Sequence, residues 1–362
     1  KYFKLYLKYF FYNNSKKLVK NDSLDLNFRD QYIKDNSQNK FNFQTILNNL
    51  AIKYLPKSYL ENFNFYNSKK MLNELSPSPK VVVTSVSHIS DDMFKIWYGN
   101  LKEKNKKTKL FVLQHGSEYL LRSENITDLS YNLCDKKLNW GSVGLNKKKD
   151  IFLGANFSFE DKKILNKKIK ILYVCNEFPI YNFKGHSVNS GPNFIDHILL
   201  QENFLKNLNK KVKKKIEIKP YPFNYGWNFI ERIKKIDKKF KIIKEKNIGK
   251  IYKDYDLIVS ATPQTTFLES IYFNIPSITL FEQDTWKLNS KAKNIFSKLK
   301  KRNIYFDHPI KAANYINRNL ASLKKKWHSK DTQKILNIFR ENYIKRNNYT
   351  SSRISNIIER SL

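Results

Sequence analysis

Cysteine is nearly absent from this 362-residue chain: Cys134 and Cys175 are the only two. A disulfide framework and a Cys-based zinc site are therefore excluded as organising features. Long apolar runs are missing as well, and no stretch approaches the ~20 uninterrupted apolar residues that span a bilayer. Acidic residues are scarce, 32 against 68 lysines and arginines, which leaves a formal charge of +36. That surplus invites a nucleic-acid reading, yet no zinc-finger, RNP or helix-turn-helix signature accompanies it, and no nucleic-acid partner is expected. The basic residues are nearly all Lys beside abundant Asn and Ile, the bias of an A/T-rich genome that places Lys on solvated surfaces. The Lys-rich runs at 147–149, 162–170, 210–215 and 324–326 fall in linkers and on expected outer helix faces. They read as a solvated face, or as attraction toward anionic headgroups, sugar nucleotides or phosphate polymers. No DxD-like pair stands at a strand end. Asp91 and Asp92 follow Ser90 at a helix start and read as an N-terminal cap. No internal repeat is present.

What is present supports two domains, since 41% hydrophobic content over 362 residues is enough for sizeable cores. The opening KYFKLYLKYFFY (1–12) alternates Lys with large apolar residues too densely for a cleavable signal peptide. It reads as an amphipathic helix on a membrane surface or as a helix packed in a domain. The chain starts at Lys1 and not at Met, and the expectation is a fragment whose N-terminal domain is truncated. A cytoplasmic protein is expected, with peripheral association at the inner membrane face as an option.

The most informative stretch is 257–281, LIVSATPQTTFLESIYFNIPSITLF. Leu257, Ile258 and Val259 form a short apolar, β-branched run, as in a strand covered on both faces. Residues 260–266 supply Ser, Ala, Thr, Pro, Gln, Thr and Thr, a loop whose N–H groups and hydroxyls suit an anion at a helix N-terminus. Phe267, Leu268, Ile271 and Tyr272 give the following helix its inner face, and Glu269 lies in its first turn. The competing reading is an ordinary strand–helix crossover whose Thr residues merely cap the helix.

A second strand-and-turn unit lies upstream. Residues 81–83 and 109–113 read as strands around a helix at 91–102, a pattern that favours a parallel sheet. The second strand runs into QHGSEY, 114–119. Ligands bind beyond the carboxyl ends of strands in such sheets, so His115, followed by a turn-permitting Gly116, is placed for chemistry or is a satisfied loop residue. Residues 142–167 read as a linker. Further strands are expected at 169–174, 216–218, 256–259 and 277–281, with helices at 193–209, 227–235, 265–273, from 312 onward and at 332–360.

The run TTFLESIYFNIPSITLF (265–281), Trp286, the turn of Asp307 and His308, AANYIN (312–317) and Trp327 together resemble the C-terminal half of an uncharacterised transferase family of bacterial surface-polysaccharide gene clusters. QHGSEY, NWG (139–141) and KPYPFNYGW (219–227) are similar to that family's other landmarks, so the likeness covers most of 80–345. More distantly the pattern is similar to CDP-glycerol glycerophosphotransferases and bacterial sialyl- and Kdo-transferases. The resemblance implies an α/β, GT-B-like fold with two Rossmann-like domains whose parallel sheets face a cleft. Residues 1–150 would form the acceptor domain, 151–330 the nucleotide-donor domain, and 331–362 a helix crossing back. Three features depart from relatives: Ser117-Glu118-Tyr119 replaces a Gly-rich sequence, Lys219-Pro220 replaces His-Pro, and the N-terminal half looks truncated.

The implied reaction moves a sugar or polyol-phosphate from a nucleotide-activated donor to a polysaccharide or lipid-linked acceptor, without metal or cofactor. Thr265 and Thr266 would hold the donor phosphate, Lys219 would add charge, and Glu269 would accept from ribose hydroxyls. His115 is the candidate base, with Glu118 orienting or replacing it. The alternative is a degenerate, non-catalytic module that binds anionic polymer or scaffolds a complex. Whether His115 and Thr265/Thr266 face one cleft discriminates the two.

Overall fold

A computed structural model describes residues 25–36, 42–68, 79–116, 118–123, 127–157, 169–180, 194–245 and 247–362. The amphipathic opening at 1–12 and most of the Lys run at 162–170 lie outside the described residues. The chain divides into two compact units, Lys1–Phe111 (with Leu362) and Val112–Ser361.

In the first unit, helices α1 (Leu26–Asn36) and α2 (Phe43–Tyr54) are tied together by one buried cation. Arg29, 1% exposed, donates to both carboxylate oxygens of Glu61 at 2.7 Å and to the carbonyls of Ile52, Lys53 and Leu55. A planar guanidinium satisfies several acceptors at once, which is why burial is tolerable here. The Arg29 hydrogen bonds hold the Glu61 carboxyl down at about 2. Strand β1 (Val81–Thr84) precedes helix α3 (Asp92–Lys104), and strand β2 (Lys109–Leu113) follows it as the neighbour of β1. Asp91 caps α3 as expected, its carboxylate accepting from Phe94 N at 3.1 Å. Asp92 is taken by the hydroxyls of Ser58 at 2.6 Å and Tyr59 at 3.1 Å.

In the second unit, strand β3 (Lys136–Asn139) pairs in parallel with β4 (Asp150–Phe152). The linker expected at 142–167 is thus corrected over its described part. Asp150 accepts from Asn139 Nδ2 at 2.7 Å and from Asn146 N at 2.7 Å, tertiary bonds that organise a segment whose Gly and Lys content reads as coil.

The larger sheet contains β5 (Ile171–Val174), β6 (Ile216–Lys219), β7 (Lys241–Ile242), β8 (Leu257–Ser260), β9 (Ser277–Leu280) and β10 (Tyr305–Phe306). Its order is β10-β9-β8-β5-β6-β7 and all five pairings are parallel. Starting from β5, the chain winds outward one way through β6 and β7, then returns to build β8, β9 and β10 on the other side. That is the strand order of the dinucleotide-binding fold, with its reversal between β5 and β8. One face buries Ile171, Tyr173, Ile216, Ile218, Leu257 and Val259 against helices α4 (Ile195–Lys206) and α5 (Phe229–Ile236). The other packs Leu172 and Ile258 on Tyr252 and Tyr255. Helix α6 (Thr265–Tyr272) buries Phe267, Leu268 and Ile271 against α7 (Ser290–Lys301) and α9 (Lys330–Tyr343). Helix α8 (Pro309–Asn319) follows β10, and α10 (Thr350–Glu359) ends the chain.

After α9 the backbone runs along β3 and β4. Ser142 N donates to Glu341 O, Lys345 N to Trp140 O, and Ala155 N to Lys345 O. Gly141 is required there, since a Cβ would stand 2.1 Å from Asn342 O. Cys134 and Cys175 are free and buried. Among the described residues, no helix is long and apolar enough to cross a membrane.

Candidate functional site

The register of the large sheet sets the site. Val174 lies opposite both Lys219 and Ser260, so the three side chains share one face where β5, β6 and β8 end. A cleft of about 160 Å³ opens at this point, with Val174, Lys219 and Ser260 in its wall and Thr262, Gln264 and Thr266 along its rim. It occupies the crevice at the strand-order reversal, where open α/β sheets bind ligands.

The loop after β5 is held from below. Gln201 of α4, fully buried, accepts from Asn176 N at 3.0 Å and donates to Asn176 O at 2.8 Å. This two-point clamp turns the Asn176 side chain into the cleft wall. There its Nδ2 donates to Gln264 Oε1, which also accepts from Thr262 Oγ1 at 3.1 Å. Asn176 Oδ1 and Ser260 Oγ, on residues 4% and 3% exposed, make no hydrogen bond among the described residues. Buried polar atoms are normally paired, so two unpartnered ones lining the same cleft mark a place for a polar ligand.

Because Gln264 is committed to Asn176 and Thr262, helix α6 begins with Gln264 at its N-cap and no side-chain cap. Thr265 and Thr266 occupy the first two helical positions and cap nothing, so the capping alternative does not describe them. The uncapped first turn leaves N–H groups available to an anion. Lys219 is 6% exposed and donates to Pro220 O at 3.1 Å, and no carboxylate among the described residues pairs with it. Burial lowers its pKa from the ordinary lysine value. Glu269 does not line the cleft. Its carboxylate accepts from the buried Tyr252 phenol. Burial raises the Glu269 pKa and the Tyr252 bond opposes that rise. Glu269 is thus engaged by Tyr252 and set apart from the cleft lining.

The turn of Gln114, His115 and Gly116 comes to the same helix start, within the Val112–Ser361 unit. Gln114, 4% exposed, accepts from Trp140 N at 2.7 Å and donates to Gly116 O at 3.0 Å, which fixes the turn after β2. Gly116 takes a positive φ of 75°, and a Cβ on it would meet Thr265 Oγ1 at 3.2 Å. His115, beside it, is exposed. The Glu118 side chain lies outside the described residues. The sequence-derived set therefore divides: Lys219 and Thr266 line one cleft, Thr265 abuts the His115 turn, and Glu269 sits behind. Asn176 and Gln201 were missed. Their only sequence signals are an Asn directly after an apolar strand and a Gln on the apolar face of a helix.

Among the described residues, no group of three His, Cys, Asp or Glu side chains could hold a metal ion. A transferase family model matches residues 2–358. The chain belongs to the LIC12162 transferase family. It is therefore an enzyme of the transferase class, and its fold is α/β, built on parallel sheets. Among solved structures it is similar to Acinetobacter baumannii MurG at 12% identity and a TM-score of 0.44, over 84% of this chain and 80% of that one. The trehalose-6-phosphate synthase OtsA overlaps at 11% identity and a TM-score of 0.47, over 90% and 83%. The wall teichoic acid polymerase TagF does so at 9% and 0.42, over 88% and 98%. Likeness of this degree carries nothing about this chain's substrate or activity. The chain has no match among curated proteins.

Proposed function

We propose that this transferase moves a glycosyl or polyol-phosphate group from a nucleotide-activated donor to a surface-polysaccharide acceptor. The observation that carries the reading is the cleft at the strand-order reversal: one buried lysine with no carboxylate partner among the described residues, an uncapped helix start and the His115 turn within reach of it. The donor's phosphates would lie between Lys219 and the N–H groups and hydroxyls of Thr265 and Thr266. As the donor bond breaks, negative charge grows on the leaving phosphate, and these groups are preorganised to stabilise it. His115 would take the proton of the acceptor hydroxyl as that oxygen attacks, with Glu118 as its partner. Lys219 and the helix start already supply positive potential, so the transfer is read as metal-independent.

Proximity of the His115 turn to Thr265 favours catalysis over a scaffold role. A polysaccharide acceptor carried on lipid would place the work at the cytoplasmic membrane face, where the Lys surplus gives weak, salt-labile attraction. A thermal-shift panel of CDP-, CMP-, UDP- and GDP-linked donors tests the reading. A true donor at 100 times its dissociation constant stabilises by about 2.7 kcal/mol. The Thr265→Ala, Thr266→Ala double variant should lose that shift while still unfolding cooperatively. A panel without any shift, or a double variant that keeps it, removes the donor site from this cleft.

A further inference from the structure

At about 160 Å³ the cleft is smaller than the ~300–1,000 Å³ of ordinary small-molecule sites. A nucleotide donor anchored there by its phosphates must carry its base out onto the adjoining surface. One aromatic ring stands in the cleft wall, that of Tyr221. It belongs to a triangle: 5.4 Å to the Tyr225 ring and 6.2 Å to the Phe223 ring, with Phe223 and Tyr225 also 6.2 Å apart. Phe223 is 63% exposed.

The backbone beneath these rings is held more firmly than a surface turn needs. Glu177, 3% exposed, accepts from Tyr225 N at 2.9 Å. Ile180 N donates to Tyr225 O at 3.3 Å, and the Trp227 indole donates to Phe178 O at 2.7 Å. Gly226 turns the chain with a φ of 96°. Burying a carboxylate is costly. Here the buried carboxylate secures the presentation of aromatic rings to solvent at the mouth of a cationic cleft. Point charge for phosphate beside π faces for a flat ring is the recognition chemistry of a nucleotide.

We propose that Tyr221, Phe223 and Tyr225 form the platform on which the donor's nucleobase stacks. The proposal rests on the donor-site reading above. Because every base has a π face, the platform contributes to cytosine, uracil and guanine nucleotides alike.

Calorimetric titration of inorganic pyrophosphate, CDP, UDP and GDP separates the parts. The Tyr221→Ala, Phe223→Ala double variant should weaken the best-bound nucleotide about tenfold or more and pyrophosphate less than about twofold. Phe223→Trp should keep or improve nucleotide affinity. Unchanged nucleotide affinity in the double variant overturns the proposal, and so does equal loss of pyrophosphate, which would make the rings mere walls. If the wild-type protein binds pyrophosphate but no nucleotide, the platform falls and the phosphate cleft stands. If it binds neither, the donor-site reading itself falls.

Discussion

Gly116 lies so near Thr265 that a Cβ on the glycine would stand 3.2 Å from the threonine Oγ1. The turn that ends β2 and the start of α6 therefore abut each other. Two constraints act on this glycine: its φ of 75°, and the hydroxyl facing it. Gly116→Ala should cost about 1–2 kcal/mol from the left-handed backbone alone, and more from displacing Thr265. Urea unfolding of the single variants and of Gly116→Ala with Thr265→Ala separates the two, because only the steric part is relieved in the double variant. Strict additivity would mean that the two residues do not press on each other.

His115→Ala is expected to abolish transfer and leave donor binding intact, since the phosphate groups rest on other elements. Near-normal turnover would move the base to Glu118.

Lys219 is buried without a carboxylate partner among the described residues, so function and stability oppose each other there. Lys219→Met removes a charge-assisted contact and should weaken pyrophosphate binding by about tenfold or more. The same change removes a desolvation cost, so the melting temperature at pH 7 should hold or rise. A clear drop in melting temperature with unchanged binding would make Lys219 a structural residue.

Gln201→Leu leaves the Asn176 N–H and C=O buried and unpaired. Each such group costs about 1–3 kcal/mol, so a loss of roughly 3 kcal/mol is expected by chemical denaturation. A loss below about 0.5 kcal/mol would show that the clamp is dispensable.

His197 gives a pH dependence of known sign. Its ring is 3% exposed, packs on Phe194 at 5.1 Å, and has no partner at Nε2. Burial lowers its pKa to about 4. The unfolded chain, with histidine near 6.5, binds a proton that the folded chain refuses until lower pH. The contribution is complete above about 6.5 and is lost as pH falls toward 4, to the extent of about 3 kcal/mol. Stability of wild type minus that of His197→Leu, followed by urea denaturation from pH 7 to 4, should fall across this window. A flat difference would put the ring in water.

Much of the fold is local enough to read along the chain. Strands β1, β2, β5, β6, β8 and β9 are apolar runs rich in β-branched residues, and α6 shows its buried face at helical spacing. The Asp91 cap and the parallel character of the sheets follow from the same local signals. What tertiary structure decided is of another kind. β4, β7 and β10 are edge strands of two or three residues, and so short a run has no periodicity to detect. The tail expected as one helix breaks between Tyr343 and Thr350, where the backbone instead pairs with Trp140 and Ala155. Glu269 stands where a ribose contact was expected, but its partner is Tyr252, 17 residues upstream. Asn176 and Gln201 meet only because strand and helix pack together, and the approach of Gly116 to Thr265 depends on elements almost 150 residues apart. Burial pattern and propensity act over a few residues and are written in order along the chain. Hydrogen bonds between distant elements are chosen by packing, and they settle which polar groups are consumed and which are left facing the cleft.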